Sequence, residues 1–171
     1  KENDLDPIFQ KHYFYPIKSM NQDIMEFIEL QEKNNNFILN ISRTDSRGRD
    51  ILKKVKEGDE KHKYPYMNTS SQYLNKLFDW DSEKTESFDK RKVLISNTTN
   101  IDTPNIKIAV YDNGEVGPGH NTSAYSVDSE IDGKKLENFL NNSILIKDII
   151  KEYNGPTGYA IPLQILSKIP K

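Results

Sequence analysis

Lys92-Val93-Leu94-Ile95-Ser96 and Ile106-Lys107-Ile108-Ala109-Val110-Tyr111, followed by apolar residues at Leu136, Phe139, Leu140, Ile144, Ile146, Ile149, Ile150 and Tyr153, decide the fold class. The first stretch is a short apolar run between polar residues, and the second alternates cleanly, so both read as strands. The later apolar positions form one broad helical stripe. They predict a long C-terminal helix over 134–153, stopped by Gly155-Pro156. Strands and helices intermixed without a βαβ rhythm indicate an α+β domain, with a mixed or antiparallel sheet of about four strands and about three to four helices.

Outward from this centre the pattern continues. Ile24, Phe27 and Ile28 predict a helix over 22–33, and Phe37–Ile41 a strand. A second helix opens at Asp45 or Ser46 and ends at Gly58, and a short one covers 70–77 with Tyr73, Leu74 and Leu77 on one side. The acidic run from Asp79 to Asp89, which encloses Trp80, reads as loop, and 159–166 as a last strand with Pro162 marking an edge. Residues 1–18 are expected to form an arm packed on a single domain spanning 19–171. Asn113-Gly114 signals a hairpin turn, but Gly117-Pro118-Gly119 interrupts the return strand. That makes 112–122 a candidate binding loop carrying Asp112, Asn113, Glu115 and His120.

Composition narrows the chemistry. The chain has 24 basic and 26 acidic residues, a formal net charge of −2, which argues against a dedicated nucleic-acid binder. It has no cysteine, which excludes disulfide scaffolds, cysteine nucleophiles and thiolate metal sites. Together with heavy use of Lys, Asn, Ile and Tyr, this suggests an exported or cell-surface protein from an AT-rich bacterial genome, its leader removed. No apolar run approaches the roughly 18 residues of a membrane span. His12, His62 and His120 lie far apart and outside any metal-ligand motif, and Asp112, Asn113 and Glu115 miss the calcium-loop spacing, so no metal site is expected. Five Asn-x-Ser/Thr sequons, at Asn40, Asn68, Asn97, Asn121 and Asn141, matter only in a eukaryotic secretory setting.

Three of the four arginines, Arg43, Arg47 and Arg49, fall within seven residues, whereas lysine supplies nearly all other positive charge. Guanidinium is a planar fork suited to carboxylate or phosphate. Placed at a strand-to-helix junction, the three form a candidate anion-binding site; the alternative is pairing with nearby acids such as Asp50 or Glu57.

Within this cluster Arg43-Thr44-Asp45-Ser46-Arg47 resembles the Arg-x-Asp-Ser-Arg start of ADP-ribosylating toxins of the cholera and pertussis type. The resemblance implies an NAD-dependent mono-ADP-ribosyltransferase. Arg43 would support NAD, Ser96 would line its pocket, and Glu130 would be the catalytic carboxylate. Ser96-Asn97-Thr98 departs from that family's Ser-Thr-Ser, and Asp128-Ser129-Glu130 from its paired acidic motif. Three readings therefore stand. The first is a non-catalytic binding domain for a protein or surface polymer, with no cofactor. The second is the NAD-using enzyme, and the third a regulator binding phosphate or nucleic acid through Arg49, Lys53 and Lys56, which share one face of the helix ending at Gly58.

Overall fold

The computed structural model describes residue 47 and residues 57–98 and 107–154. The expected arm, the helices over 22–33 and 45–58, the strand over 37–41 and the strand over 159–166 lie outside these or touch only their edges. The described chain forms β1 (Tyr64–Met67), α1 (Ser70–Asn75), β2 (Asp79–Asp81), β3 (Lys92–Ser96), β4 (Ala109–Asp112), β5 (Gly117–Pro118), β6 (Thr122–Ser126), α2 (Glu130–Asn142) and α3 (Ile144–Asn154). This is an α+β domain. Its strands form two three-stranded sheets, β4-β3-β6 and β2-β1-β5, where the sequence suggested one.

β3 is the centre of the antiparallel sheet, and all five of its residues are buried. Alternation along the strand divides them between two faces. Leu94 packs with Met67 and Val116 against the second sheet. Val93 lies opposite Tyr111, whose ring sits against Gly133 of α2, so this face carries the helix. A Cβ at position 133 would collide with the Tyr111 ring, and only glycine lets the helix approach this closely.

The lysine that opens β3 is buried too. Lys92 and its register partner Asp112 are both fully buried, with Nζ 2.8 Å from Oδ2. The ammonium also donates to the Phe88 carbonyl at 2.7 Å and the Lys90 carbonyl at 3.0 Å, using all three of its donors. Asp112 accepts from the backbone N–H groups of Gly114, Glu115 and Val116 at 2.9, 3.1 and 3.1 Å and from the Tyr73 hydroxyl at 3.2 Å. Burial, helped by the Asp112 charge, pushes the Tyr73 phenol well above its usual pKa. The pair thus ties β3, β4, α1 and the segment after β4 together.

The second sheet is mixed. β1 pairs antiparallel with β2, and its last two residues, Tyr66 and Met67, pair parallel with β5. Pro65 has no N–H to give, and β5 begins only beyond it. Gly117 is required because a Cβ there would strike the Tyr66 ring. Asp79-Trp80-Asp81, expected as acidic loop, is strand β2. Its backbone pairs with β1, the Asn68 amide donates to Asp79, and Asp81 accepts the Ser82 N–H at 2.6 Å. Trp80 is half-buried against Gly58, the plug-like role of a lone tryptophan. α1 follows from a capping box, Thr69 with Gln72, and ends at Lys76 in the left-handed conformation, φ 55°.

Instead of one helix over 134–153 there are two, separated by Ser143, whose ψ of 128° is extended. Asn141-Asn142-Ser143 has poor helix propensity, and Asn141 has a second role. Its carboxamide oxygen accepts the Ile108 and Ala109 N–H groups at 2.8 and 3.0 Å, while its Nδ2 donates to the Ala109 carbonyl at 2.8 Å. The side chain thus stands in for a neighbouring strand at the outer edge of β4.

Replacing Asn141 with leucine removes three hydrogen bonds at once. Urea unfolding is expected to show a loss of about 2–4 kcal/mol, with faster aggregation as the edge opens. Lys92→Met leaves Asp112 buried without its counter-charge. The expected loss by the same measurement is about 3–5 kcal/mol, the usual cost of breaking a buried pair by removing one partner.

Candidate anion-binding groove at Arg91

Of the arginine cluster, Arg43 and Arg49 lie outside the described residues. Arg47 sits at the border of the second sheet, its N–H donating to the Pro118 carbonyl at 3.0 Å. Its side chain reaches back across the sheet to β2, with Nε 2.7 Å from Asp81 Oδ2 and Nη2 2.9 Å from Glu83 Oε2. Asp81 is 2% exposed, so this contact neutralises a buried carboxylate. Desolvation alone would lower the pKa of Arg47, but the Glu83 hydrogen bond and the Asp81 charge outweigh it and raise the pKa. The expected partners were Asp50 or Glu57; the observed acids lie more than thirty positions along the chain. Arg47 is engaged with carboxylates, and its guanidinium is a structural tie.

The two described members of the NAD-site triad are not brought together. Ser96 closes β3 opposite Thr122, buried, its hydroxyl accepting the Ser70 N–H at 2.8 Å. Glu130 begins α2 just past Ser126, which pairs with Lys92 at the other end of β3. Four strand steps separate those ends, about 13 Å. Glu130 is exposed there, in the first turn after the Ser129 cap.

The candidate loop at 112–122 divides in two. Asp112 is the buried ion-pair partner, and Val116, Gly117, Pro118 and Gly119 are buried as linker and β5. Asn113, Glu115 and His120 are exposed. Gly119 donates its N–H to the Met67 carbonyl at 2.8 Å, which fixes the segment between the two sheets. His120 therefore lies near the Ser96 end, away from Asn113.

What sequence reading missed is the fourth arginine. Arg91 borders a cavity of about 570 Å³ at the Lys92 end of the antiparallel sheet. Asp89, Lys90 and Asn113 line it together with Ser126, Val127 and Asp128; Arg91 continues β3 between Asn113, just past β4, and Val127, whose N–H donates to the Arg91 carbonyl at 3.0 Å. The guanidinium is exposed but oriented. Nε donates to Asn113 Oδ1 at 3.2 Å, and Nη1 lies 3.5 Å from the Asp128 carbonyl oxygen. Its neighbours are paired among themselves, Asp89 with Lys84 at 2.6 Å and Lys90 with Glu86 at 2.9 Å. Arg91 forms no carboxylate pair among the described residues. Its rarity in a lysine-rich chain was the available signal, but isolation in sequence hid it.

Among the described residues no group of three or more His, Asp or Glu side chains is placed to hold a metal ion. Nor is any helix among them long and apolar enough to cross a membrane. No protein family, curated protein or solved structure matches the chain.

Arg47→Leu separates tie from site. A structural tie predicts a loss of about 1–3 kcal/mol in urea unfolding, because Asp81 is left buried and unpaired, with no change in phosphate affinity. An anion site at Arg47 would give the reverse pattern.

Proposed function

We propose that the chain is a non-catalytic binding domain, acting outside the cytoplasm, that takes an anionic group of a protein or surface polymer at Arg91. One observation carries this reading: among the described residues Arg91 has no carboxylate partner, and it is held in a defined orientation at the rim of a cavity. Its remaining N–H groups offer the planar donor edge that carboxylate or phosphate accepts. Asp128 is exposed and lines the same cavity, and its negative charge keeps affinity for a lone anion low, so the partner supplies further contacts along the groove. The non-catalytic character draws support from the separation of Ser96 and Glu130, and from the structural engagement of Lys92, Asp112 and Arg47. Export rests on the cysteine-free composition.

The test is a titration of ¹⁵N-labelled protein with phosphate and, separately, acetate at constant ionic strength. Shifts are expected at the Arg91 Nε signal and the Asn113 and Asp128 amides. Arg91→Gln is expected to weaken them about tenfold or more, the value of a charge-assisted hydrogen bond. Equal responses in wild type and variant would overturn the reading. NAD as a third titrant distinguishes the alternative: saturable shifts centred on Arg43 and Ser96 would favour the ADP-ribosyltransferase.

A further inference from the structure

Asn113-Gly114 has the sequence of a two-residue hairpin turn, yet the chain does not return beside β4. It passes instead to β5 in the other sheet. An asparagine side chain can cyclise onto the next peptide nitrogen, and hydrogen-bonding groups surround both reacting atoms in this turn. Asn113 Oδ1 accepts from Arg91 Nε and from the Tyr111 hydroxyl, each at 3.2 Å. Two donors, one cationic, polarise the carbonyl and stabilise negative charge gathering on its oxygen during attack.

The nucleophile is prepared on its other side. Gly114 N–H donates to Asp112 Oδ2 at 2.9 Å, so a carboxylate already faces the proton that must leave. That proton lies in the peptide plane, whereas attack on carbon uses the nitrogen pair perpendicular to it, so the hydrogen bond does not obstruct ring closure. Gly114 has φ +91°, and a Cβ there would approach the Asp89 carbonyl oxygen to 2.7 Å. The turn therefore keeps a residue with no side chain to shield the nitrogen. Asn113 is exposed, so ammonia can leave and water can enter.

We propose that Asn113-Gly114 is a self-processing site, at which the fold converts Asn113 to aspartate or isoaspartate and sets a carboxylate against Arg91. The Gly114 nitrogen bonds to Asn113 Cγ as its proton passes to Asp112. The tetrahedral carbon then expels the side-chain nitrogen, which takes up that proton and departs as ammonia, leaving a five-membered imide. Water adds to either imide carbonyl and opens the ring, so water is the one co-reactant. The new carboxylate pairs with Arg91 and lowers its affinity for external anions. That last consequence rests on the groove reading; the conversion does not.

The experiment follows the amide-to-acid change at residue 113 by peptide mapping, with fragmentation that separates aspartate from isoaspartate. The folded chain at neutral pH is compared with the same chain in urea. Faster conversion in the folded chain is expected. Arg91→Gln and Tyr111→Phe should each slow it about tenfold, the rate equivalent of one lost hydrogen bond, and Asn113→Gln should abolish it. Slower conversion in the folded chain than in urea would show that the turn protects the amide, and the proposal fails. Unchanged rates in both folded variants would also overturn it. The comparison in urea decides the matter even where a variant does not fold. Phosphate titration of converted and unconverted protein then tests the effect on the groove separately.

Discussion

A charged pair sits where an apolar one would be simpler. Lys92 and Asp112 have no exposed surface, and taking each ion out of water costs several kcal/mol before any contact is credited. The arrangement persists because every donor on the ammonium and five approaches to the carboxylate are used. That saturation has architectural consequences. The turn after β4 must present three successive N–H groups to one carboxylate, which steers the chain away from a hairpin return and toward the second sheet. Tyr73 must point inward from α1, and Phe88 and Lys90 must turn their carbonyls to the ammonium. The two-sheet layout, the position of α1 and the course of residues 113–118 all follow from satisfying this pair.

What the sequence made legible was hydrophobic periodicity. Lys92–Ser96 read as a strand because Val93, Leu94 and Ile95 form a run too short for a buried helix. The α+β class followed from the mixture of periods. β2 escaped because Asp-Trp-Asp carries the wrong composition: it is a strand through pairing with β1, a tertiary effect that local propensity does not encode. The break at Ser143 escaped for the opposite reason. Leu140 and Ile146 lie on either side and both are buried, so the stripe continues across an interruption created by the inward turn of Asn141.

The arginines teach a related lesson. Of the two that are described, Arg47 neutralises a buried carboxylate and Arg91 is oriented by Asn113. Scarcity could not say which of them was committed internally. That depends on acids distant in sequence, Asp81 and Glu83 in one case and none among the described residues in the other. Clustering drew attention to the 43–49 segment, while the isolated Arg91 stands at the cavity.

The amide of Asn141 has a consequence for how this chain can be made. Asn141-Asn142-Ser143, Asn68-Thr69-Ser70 and Asn97-Thr98-Thr99 are all acceptor sequences for oligosaccharide transfer, and in the folded domain all three asparagines are buried. Asn141 bridges to β4, Asn68 donates to Asp79, and Asn97 accepts from the Ser123 hydroxyl at 2.9 Å. A sugar can be attached at these positions only before the chain has folded, and once attached it occupies the space the fold requires. In a eukaryotic secretory pathway, the glycosylation machinery and the folding reaction would compete for the same three side chains. A bacterial cell without that machinery presents no such conflict.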